Sequence, residues 1–175
     1  MKRALWLFPA VFVLCATAQA QEIPAWELSG GYSYLRANLD GASFSLNGGV
    51  ASVSENVNDW FGGRLEFSAY GGNAAGMKLS AQTITYGPVF SYRRYQKLTP
   101  FGEFQLGAVH ANAGYLGISA PAFKFALSSG VGVDFKINQR AAVRVQGDYL
   151  MTQFLGLRQD NLRASAALVI RFGTK

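Results

Sequence analysis

Eleven charged residues share one position in the pattern of this chain: each lies on the polar phase of a segment in which apolar and polar residues alternate. They are Glu27, Arg64, Glu66, Arg93, Glu103, Lys124, Asp134, Arg144, Asp148, Arg163 and Arg171. Successive side chains of a β-strand point to opposite faces, so these charges would project from one side of a sheet. Because both signs are present, they could form buried ion pairs, and any charge left unpaired there would be costly. The sequence therefore predicts an interior charge network.

The strands that would hold these charges are long. Residues 123–136 show this most clearly, since the odd positions carry mainly Phe, Leu and Val while the even positions carry Lys, Ala, Ser, Gly and Asp. Such a run exceeds the ~5–6 residues usual for a soluble strand. It suits the ~9–11 residues that a tilted strand needs to cross a bilayer. We therefore expect membrane-spanning strands whose apolar face meets lipid.

Eight segments have this period, at about 24–36, 45–54, 59–70, 82–94, 99–111, 122–136, 141–151 and 161–173. Tight connections are expected at 56–58, 96–98 and 137–140, and longer ones around 38–41, 71–81, 111–121 and 152–160. Backbone polar groups in hydrocarbon all need partners, so the sheet must close on itself. The predicted fold is an all-β, eight-stranded antiparallel up-and-down transmembrane β-barrel. The second segment is the weakest prediction, because it does not keep one phase.

The first twenty residues are predicted to be an export signal that is cleaved, with the barrel domain over residues 21–175. Met1-Lys2-Arg3 is positive, residues 5–14 are apolar, and Ala18-Gln19-Ala20 has the small-x-small form of a cleavage site. The only cysteine, Cys15, lies in this segment. The mature chain would therefore have neither disulfides nor thiol catalysis.

Charge content favours a membrane barrel over a soluble one. Only 15% of the residues are charged, against ~25% in ordinary soluble domains. This argues against a soluble ligand-binding barrel of the lipocalin kind, whose whole outer surface must be wetted. Without Lys2 and Arg3 the chain has 14 basic and 10 acidic residues, a net charge of +4, and they are dispersed singly. Nucleic-acid binding needs basic residues clustered on one face and is not expected.

Aromatic residues on the apolar phase predict two belts at the membrane interfaces, where such rings are favoured. If the chain starts on the periplasmic side, one belt contains Trp26, Phe61, Tyr92, Phe135 and Phe172. The other belt then contains Tyr32, Tyr34, Phe123 and Tyr149. Trp60 and Phe101 fall on the polar phase instead.

The polar phase is expected to face the barrel lumen. An Arg or Lys that faced lipid at mid-membrane would cost ~2–4 kcal/mol, and an eight-stranded barrel is just wide enough for side chains to fill. We expect Arg64, Glu66, Arg144 and Asp148 to join one interior network, with a salt bridge such as that of Glu66 with Arg144. A plug of ion pairs is favoured over an ion path.

These features resemble the family of small eight-stranded outer-membrane barrels that includes the transmembrane domain of OmpA and OmpX. The segment 26–34, Trp-Glu-Leu-Ser-Gly-Gly-Tyr-Ser-Tyr, resembles the first strand of such proteins. The segment 162–172, Leu-Arg-Ala-Ser-Ala-Ala-Leu-Val-Ile-Arg-Phe, resembles the final strand that the barrel-assembly machinery recognises. The resemblance implies a monomer in the cell outer membrane, in contact with its lipid and lipopolysaccharide.

The favoured function is a structural or surface-interaction role with a plugged lumen. A narrow porin-like channel for small solutes or ions is the alternative, and an outer-membrane lipid-modifying enzyme is less favoured. The only histidine, His110, stands between Val109 and Ala111 on the apolar phase, without the neighbouring serine of a lipid A deacylase. The alternative in which a serine on another strand pairs with His110 is left open. The sequence predicts no catalytic residue, cofactor site or metal site.

Overall fold

A computed structural model describes residues 23–39, 42–74, 77–115, 118–154 and 157–174. The described residues form eight strands, β1 (Pro24–Leu39), β2 (Ala42–Asn56), β3 (Phe61–Ala74), β4 (Met77–Ser91), β5 (Leu98–Tyr115), β6 (Ile118–Lys136), β7 (Ala141–Phe154) and β8 (Leu157–Thr174). Each is longer than a bilayer crossing requires. The predicted export signal, including Cys15, lies outside the described residues.

The sheet closes into a barrel because β8 pairs with β1. Every strand is antiparallel to its neighbours, and the strand order around the barrel is the order in the chain. At the closure Trp26 lies opposite Phe172, and Tyr34 lies opposite Ala164. Closure gives the backbone donors and acceptors partners on both sides, as hydrocarbon demands. The predicted fold class is confirmed.

The two faces of the sheet are inverted relative to a soluble protein. Outward side chains are large, apolar and exposed, such as Phe67, Ile84 and Leu168, while inward side chains are polar or charged and buried. The second strand keeps one phase after all, since Ser52 and Ser54 face inward and Val53 faces outward. Its alternation of polar and apolar residues is incomplete because the inward-facing Leu46 and Val50 are apolar.

Strands continue where longer connections were expected. β3 runs to Ala74 and β4 begins at Met77, so most of the expected loop at 71–81 is strand. Likewise, β5 runs to Tyr115 and β6 begins at Ile118. The expectation of long loops was wrong because a hairpin can extend its hydrogen-bonded ladder beyond the bilayer. No helix in the described ranges combines the length and the apolar character needed to cross a membrane.

The barrel has two distinct ends. The end that carries both ends of the described chain and the turns 57–60, 92–97 and 137–140 is called here the terminal end. The opposite end, where the four hairpins extend, is called the hairpin end. The exposed charged residues that the structure describes lie in turns or towards strand ends: Arg36, Glu55, Asp59, Arg94, Lys97, Lys124, Arg140 and Asp160. The band between the two ends is therefore apolar on its outer surface.

Candidate functional site in the barrel lumen

Five charged side chains meet inside the barrel near its terminal end, and we call them the terminal cluster: Glu27, Arg93, Asp134, Arg144 and Arg171. Arg144 Nε lies 2.7 Å from Asp134 Oδ1, and its Nη2 lies 2.9 Å from Glu27 Oε2. Arg171 reaches the same two carboxylates, at 3.0 Å for Asp134 and 3.4 Å for Glu27. Arg93 closes the group at 3.4 Å from Glu27. Each carboxylate thus faces at least two guanidinium groups.

A second set of charges, the middle cluster, lies further along the lumen: Arg64, Glu66, Glu103, Asp148 and Arg163. Arg163 pairs with both Glu66, at 2.5 Å, and Asp148, at 2.8 Å. Arg64 pairs with Glu103. The Arg163–Glu66 pair joins β8 to β3 and crosses the lumen, and the Arg64–Glu103 pair spans from β3 to β5. Arg163 and Asp148 lie opposite each other on the neighbouring strands β8 and β7.

Gln146 connects the two halves of the middle cluster. Its Nε2 lies 3.1 Å from Asp148 Oδ2 and 3.4 Å from Glu103 Oε1. Arg64 Nε also donates to Ser54 Oγ at 2.9 Å. Polar groups buried in a lumen are stable only when they are hydrogen-bonded. The neutral side chains therefore supply contacts that the ion pairs alone would lack.

Phe101 separates the two clusters. Its ring is stacked between Arg64 and Arg144, whose Cζ atoms each lie 4.8 Å from the ring centroid. A guanidinium over an aromatic face is attracted by the negative potential of the ring. A β-carbon at Gly132 would lie only 2.5 Å from Phe101 Cζ, so glycine makes room for the ring. Phe101 lies on the polar phase because it packs against cations.

The hairpin-end half of the lumen holds apolar side chains instead of ion pairs. Leu35, Leu46, Val109 and Leu150 are buried there with Tyr70 and Ala126, and we call these six residues the apolar layer. The Tyr70 hydroxyl is hydrogen-bonded to Ser33 Oγ at 2.9 Å. This layer was not predicted. Its signal was adjacent apolar residues such as Tyr149-Leu150-Met151, where the alternation breaks.

The lumen receives ten of the eleven charged residues named from the sequence, five arginines and five carboxylates. Lys124 is the exception, because it is exposed. It lies on the part of β6 that extends towards the hairpin end, past the buried Ala126. The expected partnership of Glu66 with Arg144 was also wrong. Each pairs within a different cluster, since period-two alternation sets the face of a residue but not its height along the barrel.

The outward aromatics are spread over both ends of the barrel. Trp26, Tyr32, Tyr92, Phe135 and Phe172 are exposed. Tyr34, Phe61 and Tyr149 are half-buried, and the side chain of Phe123 lies outside the described part. Trp60, placed on the polar phase by its position, instead lies in the turn 57–60 and stacks on Phe90 with 6.1 Å between ring centroids. An apolar, partly aromatic outer band around a charged interior is the surface of a membrane barrel.

Comparison with known families agrees with this geometry. The outer membrane protein beta-barrel domain family matches residues 6–172 of the chain. The chain belongs to this family. The protein is therefore a small outer-membrane β-barrel and resides in the outer membrane. No curated protein matches it by sequence.

Solved outer-membrane barrels share the fold of this family member at low sequence identity. Neisserial surface protein A is 12% identical with a TM-score of 0.76, covering 85% of this chain and 97% of its own. Ail, the attachment invasion locus protein of Yersinia pestis, is 18% identical with a TM-score of 0.60, covering 85% and 100%. OprG from Pseudomonas aeruginosa is 11% identical with a TM-score of 0.60, covering 88% and 98%. At these identities the likeness concerns the fold alone.

The single histidine of this outer-membrane barrel stands apart from the lumen clusters. His110 is half-buried on β5, between Gln82 and Phe123 of the neighbouring strands. Within the described ranges, no group of three or more His, Cys, Asp or Glu side chains is arranged to hold a metal ion. The chemistry concentrated in the described lumen is ion pairing.

Proposed function

We propose that this protein has a structural or surface-interaction role in the outer membrane and that its lumen is closed to solutes. The observation that carries the proposal is the filling of the bore by buried ion pairs, among them the cross-lumen pair of Arg163 with Glu66. The side chains of Arg163, Glu66 and Asp148 are 0–2% exposed. An eight-stranded barrel is only wide enough for its own side chains, so such pairs leave no continuous path.

The apolar layer supports the same proposal independently. A hydrated ion that passed the charged clusters would meet Leu35, Leu46 and Leu150, which offer no polar partner. Stripping water from an ion without a replacement is costly. Closure therefore has two different physical causes at two heights of the lumen.

Non-enzymatic function is part of the proposal. Buried arginine and carboxylate groups that neutralise each other in pairs are not free to act as a base or a nucleophile. We further propose that the protein is a monomer. Its apolar band would contact membrane lipid and lipopolysaccharide, and the barrel-assembly machinery would insert it.

Liposome swelling tests the closed lumen. We expect liposomes that contain the folded protein to swell in sugar solutions no faster than empty liposomes, while a sixteen-stranded porin gives rapid swelling. Swelling that depends on sugar size would contradict the closed lumen and support the narrow porin-like channel.

The surface role requires the hairpin end to face outward. Lys124 is exposed on the hairpin side and Asp59 is exposed in a terminal-end turn. We expect Lys124→Cys to react with a membrane-impermeant maleimide on intact cells and Asp59→Cys to react only after permeabilisation. The predicted mature chain has no other cysteine, so labelling is specific. The reverse labelling pattern would overturn the surface role.

A further inference from the structure

An open groove on the lipid-facing surface has no part in closing the lumen. It lies near the terminal end, crosses from β4 to β7 and has a volume of about 770 Å³. Sites for small molecules usually measure ~300–1,000 Å³. The groove is therefore large enough for part of a lipid.

The floor of the groove is low because two of its three central residues are glycines. Gly102, Val131 and Gly147 lie side by side on β5, β6 and β7. A β-carbon at Gly147 would meet nothing within 4 Å, and one at Gly102 would meet only a carbonyl oxygen at 3.8 Å. Larger side chains, Phe90 and Phe135, flank this floor. The result is an apolar trough in a surface that otherwise carries bulky residues.

Basic residues lie in the turns that follow the groove-lining residues Tyr92 and Phe135 at the terminal end of the barrel. Arg94 and Lys97 lie in the turn 92–97 and Arg140 lies in the turn 137–140, and all three are exposed. The exposed acids of the described terminal-end turns and adjoining strand ends, Glu55 and Asp59, belong to the β2–β3 hairpin instead. Asp59 adjoins Trp60, which lines the groove from the turn 57–60, so three cations accompany one acid at this end of the groove. We call Arg94, Lys97 and Arg140 the basic rim.

Tyr92 connects the groove to the basic rim. Its ring lines the groove, and Arg94 Cζ lies 5.9 Å from the ring centroid. Tyr95 packs against the same ring, with centroids 5.5 Å apart. The turn 92–97 also contacts the end of β6, since Lys136 N donates to Lys97 O at 2.8 Å. Apolar trough, aromatic edge and cations thus follow each other from the membrane interior to the interface.

We propose that the groove and the basic rim form a binding site for one anionic glycerophospholipid. One acyl chain lies over Gly102, Val131 and Gly147, and the phosphate group lies among Arg94, Lys97 and Arg140. Charge complementarity selects the headgroup, since each Lys or Arg near an anionic lipid surface contributes about fivefold in affinity. Glycerophospholipid is preferred to lipopolysaccharide because the terminal end, opposite the extended hairpins, corresponds to the end of such barrels that faces the periplasmic leaflet.

Native mass spectrometry of the folded protein in detergent tests the site. Phosphatidylglycerol and phosphatidylcholine with identical acyl chains are titrated separately. We expect one phosphatidylglycerol to be retained at concentrations where phosphatidylcholine is not. Equal retention of the two lipids by the unmodified protein would overturn the proposal.

Two variants locate the site. Lys97→Gln combined with Arg140→Gln should weaken phosphatidylglycerol retention by about 25-fold, from two cations at about fivefold each. Arg36→Gln, at the hairpin end, is the matched control and should change nothing.

Gly147→Leu should fill the trough and reduce retention by about tenfold or more, a loss equivalent to ~1.4 kcal/mol. Gly30→Leu is its control, because a β-carbon there also meets nothing within 4 Å but lies on β1. Folding is checked by heat-modifiable migration. If Gly147→Leu does not fold, the double variant of Lys97→Gln and Arg140→Gln tests the site alone. Unchanged retention in the folded variants would place any bound lipid elsewhere and overturn the site.

Discussion

Arg163 on β8 pairs with Glu66 on β3 across the lumen, with 2.5 Å between Nη1 and Oε1. The two strands are separated by β1 and β2 on the shorter way around the closed sheet. The pair therefore spans the bore, and Asp148 binds the same guanidinium from β7. Under the proposed closure of the lumen, a guanidinium shared in this way is a main obstruction at this height of the bore.

Loss of Arg163 should destabilise the barrel more than loss of Arg144. Arg163→Leu leaves Glu66 and Asp148 buried without the cation they share, at a cost of ~3–5 kcal/mol. Arg144→Leu should cost less, ~1–3 kcal/mol, because Glu27 and Asp134 both keep Arg171. The free energy of unfolding of each variant is measured by urea unfolding, with tryptophan fluorescence as the signal.

Neutralising the stranded acids should restore part of the stability. Arg163→Leu with Glu66→Gln and Asp148→Asn removes the unpaired charges, so it should unfold at higher urea than Arg163→Leu alone. Equal stability of the single and triple variants would mean that these carboxylates are hydrated. Arg36→Leu, on the exposed surface, should change stability by less than ~0.5 kcal/mol.

The ring of Phe101 should matter beyond its volume. Phe101→Ala should lose ~3–5 kcal/mol from the cavity it leaves. Phe101→Leu keeps much of the apolar volume but loses two cation–π contacts, each worth ~0.5–2 kcal/mol. Thermal unfolding compares the two with Phe101→Tyr, which keeps the ring. A leucine variant as stable as the unmodified protein would show that the ring is only a spacer.

Gly130 should tolerate no side chain. A β-carbon there would lie 1.9 Å from Asp148 Oδ1 and 3.0 Å from a backbone oxygen. Gly130→Ala must therefore displace the carboxylate from Arg163, and overpacking of this kind costs ~1–3 kcal/mol. Gly30→Ala, where the β-carbon meets nothing within 4 Å, is the control. Urea midpoints that shift equally in the two variants would contradict the packing at Asp148.

The sequence predicted the face of most charged residues but not their partners. Alternation with period two puts Glu66, Arg144 and Arg163 inside the barrel, because a strand has only two faces. Which of them meet depends on the register of each strand pair and on how β8 closes against β1. That closure depends on the whole sheet, so no local pattern could separate the terminal cluster from the middle cluster.

The local sequence pattern also failed to predict the side-chain environment towards the hairpin end of the barrel. Lys124 has the inward phase, yet it is exposed because β6 continues past the apolar layer that contains Ala126. Leu35 and Leu150 face inward although they are apolar, since they are buried in the apolar layer instead of meeting lipid. The polarity of a residue therefore predicts whether it faces the lumen or the lipid only at those levels of the barrel where charged side chains line the lumen.

Single-channel conductance in planar bilayers tests the closed lumen most directly. We predict negligible steady conductance for the unmodified protein. Opening the apolar layer alone, with Leu46→Ser and Leu150→Ser, should leave conductance negligible because the Arg163–Glu66 pair still crosses the bore. A stable, large conductance in the unmodified protein would contradict the closed lumen.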